Sequence, residues 1–401
     1  MRDLKLHLEG QWWDSLLYKG QLHLFGMDGS LSVYAWEELI SDLAESLGDA
    51  GTALRFAFAE SNAIYRAELD RSRVRQCFAE LSSDAFEIGG ATLARYRLSE
   101  TDNDFPFPHA TSAFHYDRMI VASSRGVHGA HYDPSSQDRT DAVRLSPLGA
   151  NQAWPAYGNV AIAGGTEGLY QVDLKIKDRE WPPEHVGDCL SERACDACDW
   201  MYSNIIGMSF DEGSVLARFS QATRAGMPIT DPDKVAVSDD GEDAPETSRR
   251  PGPVDHLEDL IRNRYDAPGR RPLTWGSRDK IYKVEGAYLA VFRLLSDGRT
   301  PFIGKVPLPT SLESVVSIKT SLFGLVFEFD ESIMVLTSDG QSRVINGEPV
   351  NWRVFPRSRR YENHLHVLRE DGLEIFSFNH DVEQNQFDKL IGTRVPTNWT
   401  D

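Results

Sequence analysis

Seven times along the chain a short apolar run reaches a turn ending in Gly and is answered at once by a second apolar run. The clearest copy is Leu22-His23-Leu24-Phe25, the turn Asp28-Gly29, and then Leu31-Ser32-Val33-Tyr34. The others turn at Arg125-Gly126, Glu167-Gly168, Glu212-Gly213, Asp297-Gly298, Asp339-Gly340 and Asp371-Gly372. Gly takes positive φ at no steric cost and Asp tolerates it, so this punctuation predicts hairpins. Spacing sharpens the reading. Gly126 to Gly168 is 42 residues, Gly168 to Gly213 is 45, Gly298 to Gly340 is 42 and Gly340 to Gly372 is 32. A period of about 40–45 residues fits a four-stranded propeller blade.

Two intervals are too long: 97 residues from Gly29 to Gly126 and 85 from Gly213 to Gly298. Each holds one period plus an extra segment. In the first, Leu39, Ile40, Leu43 and Leu47, then Phe56, Phe58, Ile64, Leu69, Val74 and Phe78, fall at helical spacing. In the second, residues 226–256 crowd seven acidic side chains from Asp231 to Glu246 among Pro228, Pro232, Pro245, Pro251 and Pro253. Such a stretch buries too little apolar area to offset its ordering, which predicts mobility. The expected organisation is a first blade over 1–36 and a helical insertion over 37–81. Propeller blades follow over 82–225, then an acidic Pro-rich insertion with a short helix over 226–272. The final blades and ring closure occupy 273–401. Trp12 to Tyr18 reads as an inner strand, Leu4 to Leu8 as the strand that closes the ring, and Phe387 to Val395 as a last strand.

The fold class expected is therefore all-β, a seven-bladed β-propeller with a helical and a mobile acidic insertion. The pattern resembles the WD40-like and quinoprotein-like β-propeller superfamily. The resemblance lies in blade pattern alone: no Gly-His…Trp-Asp signature recurs, and the nearest endings are Tyr34-Ala35-Trp36, His131-Tyr132-Asp133 and Val172-Asp173-Leu174. It implies architecture and a bias towards interaction roles, and it transfers no catalytic residue.

Charge narrows the partners. With 61 acidic and 42 basic residues the net charge is −19, a field that opposes broad contact with nucleic acid or anionic lipid. No apolar run approaches 18 residues and the first residues lack the apolar core of a secretory signal, so the expected setting is cytoplasmic, away from membranes. The expected function is a non-enzymatic protein-interaction scaffold, a subunit of a larger assembly that meets nucleic acid only within a complex. The alternatives are a propeller hydrolase or lyase with a central-channel site, and a propeller that senses a small ligand.

Three constellations are candidates for chemistry. His185, Cys189, Cys195 and Cys198 gather three of the four cysteines and one histidine within fourteen residues. Thiolates and imidazole suit a structural zinc ion, and Cys-x2-Cys lets one turn supply two ligands; the competing reading is a loop of reduced cysteines. His109, His115, His128 and His131, with Asp117 and Asp133, offer metal or acid–base groups, set against ordinary strand histidines. Two Arg clusters interrupt the acidic field. One holds Arg262, Arg264, Arg270, Arg271 and Arg278. The other holds Arg353, Arg357, Arg359 and Arg360, interleaved with Trp352, Phe355 and Tyr361. Arg beside aromatic groups suits a partner-binding hot spot at Trp352, Arg357, Arg359, Arg360 and Tyr361; the competing reading is a solvated loop of ion pairs.

Overall fold

The computed structural model describes residues 2–60, 71–81, 85–175, 180–201, 204–220, 250–261, 273–295, 298–358, 360–379 and 389–392. The strands form seven small antiparallel sheets, the fold of a seven-bladed β-propeller. Six sheets have four strands; the seventh gains a fifth. The chain divides into two compact units. One draws on Met1–Asp104, Asp133–Asp138 and Glu313–Val395, the other on Phe105–Tyr132 and Arg139–Leu312.

The first unit holds three sheets. In one, Trp12–Tyr18, Gln21–Gly26 and Ser30–Ala35 run consecutively, and Arg97–Asp102 supplies the fourth strand after the helical segment. A second runs Ser317–Ser321, Gly324–Phe329, Ser332–Thr337 and Ser342–Asn346. The third joins the two ends of the chain. Asn351–Val354, His364–Leu368 and Gly372–Asn379 are completed by Arg2–Glu9, with Leu4 opposite Ser377 and Leu8 opposite Leu373. The expected closing strand, Leu4 to Leu8, lies within this pairing. Strand Ala85–Ile88 then adds in parallel to Arg2–Glu9 as a fifth strand.

The helical segment is thus inserted inside a blade, between its third and fourth strands. Helices Trp36–Ser46, Gly51–Phe58 and Arg71–Leu81 bury Leu39, Ile40, Phe56, Phe58, Cys77, Phe78 and Leu81 in one core with Leu4, Leu6 and Leu8. The first two helices cross closely: a Cβ on Gly51 would stand 1.9 Å from the Ala44 carbonyl oxygen. Two carbonyls at the C-terminal end of Gly51–Phe58 have no partner within the helix and are met by side chains. Trp36 Nε1 donates to Phe58 O at 2.7 Å. Three donors converge on Ala57 O: His364 Nε2 at 2.8 Å, Ser377 Oγ at 2.8 Å and Asn363 Nδ2 at 3.2 Å. Residues 90–96 form short helical turns at Gly90–Leu93 and Ala94–Tyr96. The amides of Thr92 and Leu93 close back on Gly89 O there, before the chain enters Arg97–Asp102.

The second unit holds four sheets. Their strands are Thr111–His115, Arg118–Ser123, Gly126–His131 and Val143–Ser146, then Gln152–Ala156, Asn159–Ala163, Leu169–Asp173 and Asp188–Ser191. Next come Ala197–Met201, Asn204–Met208, Val215–Ser220 and Arg250–His256, and finally Thr274–Ser277, Lys280–Glu285, Tyr288–Arg293 and Phe302–Pro307. Residues 250–256, counted with the acidic insertion on composition, are an outer strand paired with Val215–Ser220. Prolines 251 and 253 fit there because an edge strand leaves one row of amides unused. Residues 221–249, the bulk of the acidic segment, lie outside the described residues, as does most of Phe387 to Val395. The short helix is Leu257–Leu260.

The Gly turns are not all equivalent. Those at Gly29, Gly126, Gly168, Gly213 and Gly372 join second to third strands, whereas Gly298 and Gly340 join third to fourth. The equivalent turns of those two sheets fall at Gly286 and Asp330, 44 residues apart, and Asp330 to Asp371 is 41. The irregular last interval therefore reflects a change of turn.

Candidate functional site

The densest set of chemically versatile side chains lies in the first unit, where the first strands of its sheets come together. A register shift at Trp13 turns Asp14 inward. Its carboxylate receives both oxygens' worth of contact from one guanidinium: Arg353 Nη2 donates to Oδ1 at 2.9 Å and Oδ2 at 2.8 Å. The Asp14 side chain is fully buried and that of Arg353 is 9% exposed. Ser15 Oγ and His366 Nδ1 share a hydrogen bond of 2.9 Å, and Ser15 N donates to Asp14 Oδ1 at 2.8 Å. His366 packs edge-on against Phe355 at 4.7 Å. Lys319, half-buried, places its ammonium 4.3 Å over the Trp352 ring and donates to Trp352 O at 3.3 Å.

Burial decides what these groups can do. It lowers His23 to about 3 and His364 to about 4. His366 is driven well below the ordinary imidazole value by burial first, then by His364 and Arg353. All three are neutral near pH 7. Burial, then the neighbouring Arg353, also lowers Lys319 to about 8. A hydroxyl hydrogen-bonded to a neutral imidazole is the geometry of an activated nucleophile. Here Ser15 and His366 are both 0% exposed and Asp14 is engaged by arginine, so the pair is closed to solvent.

The predicted partner patch is divided by the structure. Trp352 and Tyr361 are 3% and 2% exposed, so neither can be touched from outside. Trp352 Nε1 donates to Glu328 Oε2 at 2.6 Å, and Gly20 N donates to the Tyr361 hydroxyl at 3.2 Å. Arg360 stays exposed and pairs with Glu37 in the first turn of Trp36–Ser46. Arg357 is half-buried, and Arg359 lies outside the described residues. Among the described members the aromatic half is core and Arg360 is a surface ion pair. Of the other Arg cluster only Arg278 is described; it sits in the hairpin turn before Asp279 with φ +55.

The cysteine set is likewise divided: Cys195 and Cys198 are buried in one apolar cluster, whereas Cys189 is exposed. His185 bonds Pro183 O through Nδ1 at 2.9 Å beside the strand Val143–Ser146, and exposed Cys189 pairs opposite Tyr170. Cys195 is buried, its Sγ donates to Ala197 O at 3.3 Å, and burial raises its thiol to about 12. Cys198 is buried, and its amide donates to Gln152 Oε1 of the neighbouring first strand at 2.9 Å. Among the described residues no three His, Cys, Asp or Glu side chains stand together as a metal-holding group. Accordingly, a disulfide-exchange reagent added to the native protein is expected to label Cys189 promptly and the other three thiols only after unfolding. Four protected thiols together with one zinc per chain would contradict this and favour a closed four-ligand site.

The histidine set is also dispersed. His115 Nε2 accepts from Gly158 N at 3.2 Å, His131 lies tilted against Trp181 at 4.7 Å, His128 pairs opposite Arg144, and His109 is buried. What the hairpin pattern missed is a tryptophan on most first strands: Trp13, Trp154, Trp200, Trp275 and Trp352. Trp200 Nε1 donates to Trp154 O at 2.9 Å, across 46 residues, one blade period. Aligning the chain on these tryptophans would have set Asp14 and Arg353 at the same position of two blades, opposite in charge.

No protein-family model matches the chain, and no curated protein matches it. Among solved structures it is similar to a computationally designed protein, Ika8, at 9% identity and a TM-score of 0.44, over 94% of this chain and 100% of that one. An extracellular domain described as that of a hybrid two component system of B. thetaiotaomicron gives 10% identity and 0.44 over 91% of this chain, which spans 40% of that chain's length. A chain of the S. cerevisiae assembly of dbp5 with nup159 and gle1 gives 10% identity and 0.43, over 93% and 90% of the two chains. Overlaps of this size transfer no residue, role or partner.

Proposed function

We propose that the chain is a non-enzymatic protein-interaction scaffold and works as one subunit of a larger assembly. The observation that carries this reading is the fate of its acid–base side chains. Asp14, Ser15, Arg353 and His366 are almost wholly buried and bound to one another, so the groups best suited to chemistry hold sheets together. Large apolar side chains stand at the surface instead: Phe302 is 53% exposed and Tyr288 50%, on the two outermost strands of one sheet. Exposed aromatic groups of this kind anchor protein contacts. The net charge of −19 favours protein partners with basic surfaces over nucleic acid or lipid, and no described helix is long and apolar enough to cross a membrane.

Purification of the native chain at its natural abundance, followed by cross-linking and mass spectrometry, tests this. The expected result is a stoichiometric protein partner and a native mass well above 45.0 kDa. A chain that elutes at its own mass with no partner would overturn the reading.

A further inference from the structure

We propose that Lys319 is a covalent capture site, whose side-chain amine condenses with a small, uncharged aldehyde to form an imine. The inference goes beyond the scaffold reading, since capture happens once per chain and needs no turnover.

Lys319 stands apart from the closed set around it. Asp14, Ser15 and His366 are 0% exposed, whereas Lys319 is half-buried on Ser317–Ser321, the first strand of its sheet. Lysines elsewhere meet carboxylates, Lys5 with Glu374 and Lys305 with Glu285. The Lys319 ammonium is held instead by the Trp352 carbonyl at 3.3 Å and the face of the Trp352 ring at 4.3 Å. Its three N–H donors thus have one protein acceptor among the described residues.

The charged groups that face it are Arg353 on Asn351–Val354, Glu328 on Gly324–Phe329 and Asp14 on Trp12–Tyr18. Burial first and Arg353 second lower the amine to about 8, against the pull of the two carboxylates. A partly desolvated lysine beside a second cation is a setting in which the amine becomes a nucleophile. Near pH 7 about a tenth of such amines are neutral, against about 1 in 2500 for an ordinary lysine. Lys389 is also lowered to about 8, but it is only 8% exposed and faces Glu362 and Asp339, so it lacks access.

The neutral nitrogen adds to the aldehyde carbon, the C=O electron pair moves to oxygen, and proton transfer gives a carbinolamine. Loss of water then leaves C=N. Amine and aldehyde become imine and water, with no oxidant or reductant. Once protonated, the imine keeps a cation over the Trp352 ring, whereas an amide formed from an acyl donor would surrender it. The net charge of −19 disfavours anionic carbonyl compounds, and a half-buried amine against a buried indole admits small ones.

The probe is propanal with cyanoborohydride, which reduces the imine to a stable secondary amine on the full chain. Peptide mass spectrometry reads the rate at each lysine between pH 6 and 9. At pH 7 Lys319 is expected to be trapped at least fivefold faster than exposed Lys19 and Lys175, an advantage that narrows above about pH 8. Glu328→Gln keeps an acceptor for Trp352 Nε1 while removing a carboxylate that holds the proton on Lys319, so trapping at pH 7 is expected to rise at least twofold. Trapping no faster than at Lys19, or only after unfolding in urea, overturns the proposal. So does a rate indifferent to Glu328→Gln, which would make exposure alone the cause.

Discussion

Replacing Asp14 with Ala is expected to lower the free energy of unfolding by about 3–5 kcal/mol, because it takes the carboxylate from a buried Arg353 guanidinium. Arg353→Met is expected to cost a similar amount for the converse reason. Asp14→Leu with Arg353→Met together is expected to recover most of that loss, since an apolar pair of similar volume is often as stable as a buried ion pair. Urea unfolding of the four proteins, with melting temperatures alongside, measures this. Single-variant losses below about 1 kcal/mol would show that water reaches the pair and that it behaves as a surface contact. The position matters because Asp14 and Arg353 stand on the first strands of the two sheets nearest the chain ends in sequence.

Acid is expected to destabilise the first unit steeply. His23, His364 and His366 are held neutral in the folded chain by burial, the first two at about 3 and about 4 and the third well below the ordinary value, while an unfolded histidine titrates near 6.5. Above that pH neither state binds the extra protons and stability is flat. As pH falls below about 6.5 the unfolded chain takes up protons that the folded chain refuses, so stability drops. The loss is about 1.4 kcal/mol per pH unit for each histidine, about 4 kcal/mol per unit for the three, until His364 itself begins to titrate near pH 4. Urea midpoints from pH 7.5 to 4.5 report this slope, and His366→Gln is expected to remove about a third of it. A flat profile between pH 6.5 and 4.5 would mean that these rings are hydrated.

Architecture was legible because hairpin chemistry is local. Asp28-Gly29 and Glu167-Gly168 name their turns through φ of +85 and +109 at glycine, whatever the rest of the chain does. The strand Leu4 to Leu8 was legible from its alternation and from the need of a propeller to remove free edges. The partner patch was not, because composition cannot tell a buried tryptophan from an exposed one. Trp352 beside arginines looks like a hot spot in sequence, yet it is the repeated core residue of a first strand, and the arginine next to it reaches a carboxylate 339 residues away. The cysteines were hard to place for a similar reason. Closeness along the chain suggested a shared ion; the break between Asp188–Ser191 and Ala197–Met201 leaves Cys189 exposed while Cys195 and Cys198 are buried in one apolar cluster. Long-range pairing of side chains is set by which strands become neighbours, and no window of twenty residues contains that information.

The pairing of Leu8 with Leu373 has a temporal consequence. On a ribosome adding about 5–20 residues per second, the strand Arg2–Glu9 waits some 20–70 seconds for its antiparallel partner to be made. During that time its leucines have an earlier companion in the strand Ala85–Ile88, made long before Gly372–Asn379 and together with the helices that share their core. Order of synthesis therefore gives these leucines a core with the helical segment before Gly372–Asn379 exists to pair with them.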